Sequence, residues 1–208
     1  MNSPEGACGE AAVQKGLTLS LLDGSTPLHL IANWCQPQMA TNNMILAQTL
    51  MTAEVFSAEA RYRRTRQNNS FLHLAVRRGN LSLVNFLIND ALPSYASQLL
   101  HETNYRGWNA LHYAARSGNV ELLNTVLLAL GSHLESAIQT QCHNGYTPLH
   151  LVCQHGERST FDLMIKSIRP STLYNIAFKQ SRRLIGKNIP QVLIDQTVKT
   201  QCCLIQMA

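Results

Sequence analysis

The sequence predicts an all-α fold of short helix-turn-helix repeats, stacked side by side as a solenoid with divergent terminal caps. Two observations support this class. A Leu-His pair recurs in four similar segments, and apolar residues follow three of these pairs at steps of three and four. Such steps place the apolar side chains on one helix face. A single repeat cannot bury that face alone, so neighbouring repeats have to stack.

The four copies align on their Leu-His pair, whose histidines are called the motif histidines below. The segments are Asp23–Ala32, Asn68–Val76, Gly107–Ala115 and Gly145–Cys153, with motif histidines His29, His73, His112 and His150. Successive motif histidines are 44, 39 and 38 residues apart.

Each segment carries signals for the start and end of a helix. Residues that can cap a helix precede the Leu-His pair in every copy: Thr26, Ser70, Asn109 and Thr147. Pro27 and Pro148 then occupy the first helical position, where the missing N–H costs nothing. Gly79, Gly118 and Gly156 can end this first helix in a left-handed conformation. Apolar residues of a second helix follow: Leu83, Val84, Leu87, Ile88; Leu122, Leu123, Val126, Leu127; Phe161, Met164, Ile165.

Together these copies resemble the ankyrin family, whose motif is Gly-x-Thr-Pro-Leu-His-x-Ala-Ala-x-x-Gly. The ankyrin-like sequence covers residues 20–170, as repeats at about 23–55, 67–103, 104–141 and 142–170. In that family the motif histidine braces its repeat through hydrogen bonds. The resemblance implies the same role for all four motif histidines. Since an ankyrin repeat has a period of about 33 residues, the surplus has to lie in longer helices or loops.

The departures from the motif lie at the ends and in the connections. We expect residues 1–19 to form a lead-in or capping segment and residues 171–208 a divergent final repeat or helical cap. In the first repeat Cys35 replaces the turn glycine, and the second helix is delayed to about Thr41–Thr52. Leu99 and Leu100 suggest an extra short helix after Pro93. Another such helix is indicated in the linker 131–141.

The composition is that of an ordinary soluble protein, with 45% hydrophobic and 14% charged residues. No stretch approaches the roughly 18 apolar residues of a transmembrane helix, and residues 1–22 lack the pattern of a secretory signal. The six cysteines have no disulfide-framework spacing, which favours a reducing compartment. We therefore expect a cytoplasmic monomer.

No cluster of residues indicates catalysis, a metal site or a cofactor. The pairs Cys142-His143 and Cys153–His155 match none of the ligand spacings of a structural zinc site. Cys153 occupies a small apolar position of its motif, where a packed and inert thiol is expected. We therefore predict no enzyme activity, no cofactor and no metal.

The resemblance to ankyrin repeats implies a concave recognition face made of the turn tips and the exposed ends of the first helices. Trp, Tyr and Arg dominate protein interfaces, and they are frequent at the matching positions. The predicted partner-binding residues are Tyr105, Arg106, Trp108, Arg77, Arg78, Arg116, Ser117, Tyr146, Gln154 and His155. In the competing interpretation Trp108 and Tyr146 only cover apolar surface between adjacent tips. The arginines would suit an acidic protein partner.

Three functional hypotheses follow. The first is a non-enzymatic protein-interaction module, similar in style to ankyrin effectors that intracellular bacteria deliver into host cells, which would place it in the host cytosol. The second is an inhibitor of a transcription factor. The run Asn69–Val76 resembles a repeat opening of the IκB group, whose repeats also have lengthened connections, although a strongly acidic tail is missing. The third arises from the net charge of +5 and uses the basic clusters Arg61–Arg66 and Lys179–Lys187 on nucleic acid or an anionic membrane. We expect neither a nucleic acid nor an anionic membrane as a partner.

Overall fold

A computed structural model describes residues 21–33, 45–50, 63–91, 95–155 and 157–176. The described residues are helices joined by turns, and no β-strand occurs among them. The predicted all-α class is therefore confirmed. They form two compact units, which divide between Ala96 and Ser97.

The first unit contains two inner helices that pack against each other. They are α1 (Pro27–Asn33) and α2 (Phe71–Arg78). A second-layer helix, α3 (Leu81–Phe86), packs on α2 and continues as a π-helical turn over Leu87–Ala91. Residues 45–50 are also helical. The core includes the fully buried side chains of Phe71, Leu72, Leu83 and Leu87.

The second unit has two layers of helices. The first layer is α5 (Ala110–Ser117) against α8 (Pro148–His155), and the second is α6 (Val120–Leu130) against α9 (Arg158–Ser167). Helices α5 and α6 also pack together, as do α8 and α9. Small residues such as Ala114 and Ala115 are fully buried on α5, which allows the helices to approach closely.

Local hydrogen bonds explain where the first helices begin and end. Ser70 caps α2 and Asn109 caps α5, and in each case the side chain accepts from the N–H of the motif histidine while the histidine ring bonds the backbone of the cap. This reciprocal capping box satisfies two N–H groups that the helix itself cannot. The prediction that Ser and Asn can replace Thr as caps is confirmed. Gly118 follows α5 at φ 69°, a left-handed conformation that ends the helix.

The lengthened connections contain the extra helices that the sequence indicated. Helix α4 spans Ala96–His101. In the next linker a 3₁₀ turn over Gly131–His133 leads into α7 (Leu134–Gln139), which packs against α6 and α8. After α9, a last described helix, α10, covers Pro170–Tyr174.

Several sequence-based expectations lie outside the described residues. They concern residues 1–19, Cys35, the two ends of the predicted helix Thr41–Thr52, the turn glycine Gly156, the start of the basic cluster Arg61–Arg66, and the segment from residue 177 onward with its basic cluster Lys179–Lys187. In the part of the chain that the structure describes, no helix is long and apolar enough to cross a membrane.

Candidate functional site

The turn tips, the tight turns that precede the motif histidines, are joined in pairs by backbone hydrogen bonds. In the first unit the N–H of Arg66 donates to the carbonyl oxygen of Asp23 at 2.7 Å. In the second unit the N–H of His143 donates to the carbonyl oxygen of Arg106 at 2.9 Å. Each bond fixes one tip against the next, so the side chains at a tip project from a defined backbone.

The tip before α5 is further held by a buried asparagine. Asn104 Oδ1 accepts from the backbone N–H of Arg106 at 2.8 Å and from that of Trp108 at 3.0 Å. Its amide nitrogen donates to Tyr113 Oη at 2.8 Å. Tyr105 and Arg106 are consequently exposed at the apex of the turn, and Tyr105 is 67% exposed. The sequence reasoning did not identify Asn104, which precedes the recurring segment, or Tyr113, which occupies a variable position within it.

Trp108 lies at the centre of an aromatic cluster. Its ring centroid is 5.0 Å from that of Tyr113 and 5.8 Å from that of His112. The guanidinium carbon of Arg116 lies 5.7 Å from the Trp108 ring centroid, in cation–π range. Trp108 is half-buried and Arg116 is exposed. One part of the Trp108 indole therefore packs on Tyr113 and His112, and another part is exposed to solvent.

Four of the predicted binding residues lie at the exposed ends of α5 and α8. They are Arg116, Ser117, Gln154 and His155. The hydroxyl of Ser117 donates to the carbonyl oxygen of Ala114 at 2.8 Å and accepts from the N–H of Asn119 at 3.2 Å. Ser117 thus has a local role at its helix end, which the sequence reasoning did not foresee.

Tyr146 occupies the position in its tip that Trp108 occupies in the preceding one. Its ring is half-buried and meets the ring of His150 edge-on, with centroids 6.1 Å apart. Its carbonyl oxygen lies 3.3 Å from His112 Nε2. The two half-buried aromatic residues are therefore linked through one motif histidine.

In the first unit, the exposed end of α2 carries Arg77 and Arg78. The Nε of Arg78 donates to Asn33 Oδ1 at 2.9 Å, which joins the ends of α1 and α2.

The motif histidines lie inside the protein. All four are buried, and each Nδ1 lies within 3.3 Å of the backbone nitrogen of the cap residue in its own helix. At the Thr-Pro copies, the hydroxyls of Thr26 and Thr147 lie 2.7 Å from Nδ1 of His29 and His150. Burial lowers the pKa of both these imidazoles to about 4. Both imidazoles are neutral at physiological pH, and their contacts with the cap residues stabilise the fold.

Within the described ranges, no group of three or more His, Cys, Asp or Glu side chains could hold a metal ion. Burial raises the pKa of the Cys153 thiol to about 12, so it carries little thiolate at neutral pH. The burial of Cys153 therefore favours a packing role for its side chain over a role as a nucleophile or metal ligand.

Comparison with known proteins identifies the repeat. A family model of ankyrin repeats in three copies matches residues 38–137 and 72–172. An ankyrin repeat domain-containing protein of Xenopus laevis, SOWAHB, is 31% identical over 71 residues, which are 34% of this chain and 9% of that protein. The ankyrin repeat-containing protein At5g02620 of Arabidopsis thaliana is 27% identical over 103 residues, 49% of this chain and 19% of that protein. The aligned region is therefore a small part of either relative. Ankyrin repeats are protein–protein interaction modules, and this chain belongs to the ankyrin-repeat family.

Proposed function

We propose that this chain binds a partner protein through its turn tips and the exposed ends of its first-layer helices. The observation that carries the proposal is the stack of Arg116 on the half-buried Trp108, next to an exposed tip with Tyr105 and Arg106. Binding of a protein partner is general for ankyrin repeats, and the surface is what we propose.

The cluster has the properties of an interface anchor. Its aromatic ring is already held by neighbours, because Trp108 contacts Tyr113 and Tyr113 bonds Asn104. Little side-chain freedom is then lost when a partner covers the ring, and such preorganisation favours affinity. Trp, Tyr and Arg are also the residue types that most often carry binding energy.

We propose the same use for the remaining predicted positions in the second unit: Arg106, Ser117, Tyr146, Gln154 and His155. In the first unit Arg77 and Arg78 occupy the matching end of α2. The arginines favour an acidic partner, since complementary charge speeds encounter and excludes wrong partners.

Action in a host cytosol, as an effector delivered by an intracellular bacterium, stays a hypothesis based on the irregular repeat spacing. The genes that neighbour its own would test it, because a delivered effector is expected beside secretion or other effector genes.

The experiment is an affinity capture from eukaryotic cytosol with the full chain. It compares the wild type with the combined variant Trp108→Ala, Arg116→Ala, Tyr146→Ala and with the control Arg158→Ala. Arg158 is an exposed arginine of the same unit that pairs with Asp162 at 3.4 Å. We expect the combined variant to lose partners that the wild type and the control retain, while circular dichroism shows that all three are folded. If the folded combined variant captures the same partners equally well, the proposed binding role of this surface is refuted.

A further inference from the structure

An open cleft lies in the first unit, between its two turn tips and the ends of its two inner helices. Its volume is about 320 Å³. Asp23 lines it from the first tip, Arg66 from the second tip, and Arg77 and Arg78 from the end of α2. Small-ligand sites span roughly 300–1,000 Å³, so this cleft suits one or two side chains of a peptide rather than a large ligand.

The charge of the cleft is positive, with three guanidinium groups against one carboxylate. Both oxygens of Asp23 accept hydrogen bonds from Ser25, at 2.9 Å from its N–H and 2.8 Å from its hydroxyl. These bonds lower the pKa of Asp23 and hold the carboxylate on its own turn. The described residues contain two ion pairs, one on α9 and the other between Arg169, just before α10, and Glu135 of α7. Neither pair involves a cleft arginine.

One of the three arginines is already oriented. Arg78 donates through Nε to Asn33 at 2.9 Å, which holds the guanidinium between the ends of α1 and α2. A guanidinium has five N–H donors, and among the described residues the structure shows only the Nε donor of Arg78 in a hydrogen bond. Arg77 is adjacent on the same helix end. A planar pair of donors that is held in place is suited to a carboxylate, which it can bind through two parallel hydrogen bonds.

We propose that this cleft binds an aspartate or glutamate side chain from an acidic segment of a partner protein. The inference rests on the proposed function, because it names the chemistry of one contact in that interaction. The proposed contact with the acidic side chain lies in the first unit. The aromatic cluster around Trp108 belongs to the second unit.

The lining favours a peptide over a nucleic acid. The carboxylate of Asp23 repels every nearby anion, but it repels a continuous run of phosphates more than a single acidic side chain because the run carries more charge. Gln67 is exposed and adds an amide group that can bond a peptide backbone. The buried amide of Asn69 donates to Gln67 Oε1 at 3.4 Å and so helps to position that side chain. Single-stranded nucleic acids usually need aromatic rings for base stacking, and none of the described residues that line the cleft is aromatic.

The test is an NMR titration of the full chain with the peptide acetyl-Gly-Glu-Gly-Glu-Gly-amide. Its matched control replaces both Glu residues by Gln. We expect the Glu peptide to shift the Nε–Hε signals of Arg77 and Arg78 in a saturable manner, and the Gln peptide to leave them unchanged. Replacing both arginines (Arg77→Gln, Arg78→Gln) should weaken binding at least about tenfold, since charge-assisted bonds are lost. The control Arg158→Gln should bind as the wild type does.

Three results would overturn the proposal: equal binding of the Gln peptide, undiminished binding by the folded double variant, or tighter binding of a short oligothymidylate at the same signals. The last would assign the cleft to phosphate. Failure here does not affect the capture experiment on the second unit. Conversely, if the titration succeeds while the Trp108, Arg116, Tyr146 variant captures partners normally, the cleft stands and the proposed surface of the second unit falls.

Discussion

His29 Nε2 lies 3.2 Å from the carbonyl oxygen of Asn69, the residue that precedes the helix cap of the second repeat. On the other side of the ring, Nδ1 accepts from the backbone N–H of Thr26 at 3.3 Å. One buried imidazole therefore ties the start of its own helix to the next turn. His112 is placed in the same way in the second unit, with Nε2 at 3.3 Å from the carbonyl oxygen of Tyr146. The motif histidine thus couples consecutive repeats within each unit.

Replacing His29 by Ala should lower the free energy of unfolding by about 2–4 kcal/mol, because buried polar groups lose a partner and a cavity remains. Urea unfolding at pH 7 measures the change. The control is His155→Ala, at an exposed helix end, which should stay within about 0.5 kcal/mol of the wild type. Similar losses in the two variants would contradict the coupling role.

Stability should also fall in mild acid. The pKa of His29 and His150 is lowered from the ordinary 6.5 to about 4. The folded state keeps these imidazoles neutral, whereas the unfolded chain takes up protons below pH 6.5. Their contribution is therefore complete above pH 6.5 and is lost progressively as the pH falls toward 4. The expected loss is roughly 3 kcal/mol for each imidazole, at about 1.4 kcal/mol per pH unit.

A variant that cannot titrate isolates this effect. Urea unfolding of the wild type and of His150→Gln at several pH values between 7 and 4.5 gives the dependence of stability on pH. His150→Gln should start less stable but show a shallower decline, by about one bound proton. An unchanged slope would mean that His150 is protonated in the folded state.

Much of the fold could be predicted because the signals are local. The cap, the Leu-His pair and the glycine that ends the helix lie within ten residues of each other, as from Asn109 to Gly118, so the sequence alone identified the first helices. The candidate site depends on longer-range contacts that no local pattern encodes. Asn33 and Arg78, joined at 2.9 Å, are 45 positions apart. The bond from Asn104 to Tyr113 likewise requires the turn and the helix to be in place, and the π-helical turn after α3 had no sequence signal that we recognised.

The turn glycines allow a matched pair of substitutions in the second unit. Gly107 and Gly118 have φ values of 73° and 69°, so alanine is strained at both. An added Cβ at Gly107 would come within 3.0 Å of Cys142 Cα, whereas at Gly118 the nearest atom is 3.8 Å away. Gly118→Ala should cost about 1–2 kcal/mol from backbone conformation alone.

Gly107→Ala should lower the free energy of unfolding by at least about 1 kcal/mol more than Gly118→Ala does. The added Cβ would meet backbone atoms of the next tip, at Cys142, and that backbone would have to move. Thermal or urea unfolding of both variants measures the difference. Equal costs would show that the contact between the two tips of the second unit is loose.

Trp108 and Arg116 separate the two interpretations of the aromatic cluster. Trp108→Ala should lower stability by about 1–3 kcal/mol, less than for a fully buried tryptophan because the ring is half-buried. Arg116→Ala should change stability by less than about 1 kcal/mol, since an exposed cation–π contact is worth about 0.5–1 kcal/mol.

Loss of partner capture by Trp108→Ala alone is therefore ambiguous, because it combines a contact effect with a folding effect. The decisive variant is Arg116→Ala, which leaves the packing of the indole on Tyr113 and His112 in place. If the cluster contacts the partner, this variant captures markedly less of it at nearly native stability. If Trp108 only covers the unit, Arg116→Ala captures as much partner as the wild type, and the site has to be sought elsewhere on the repeats.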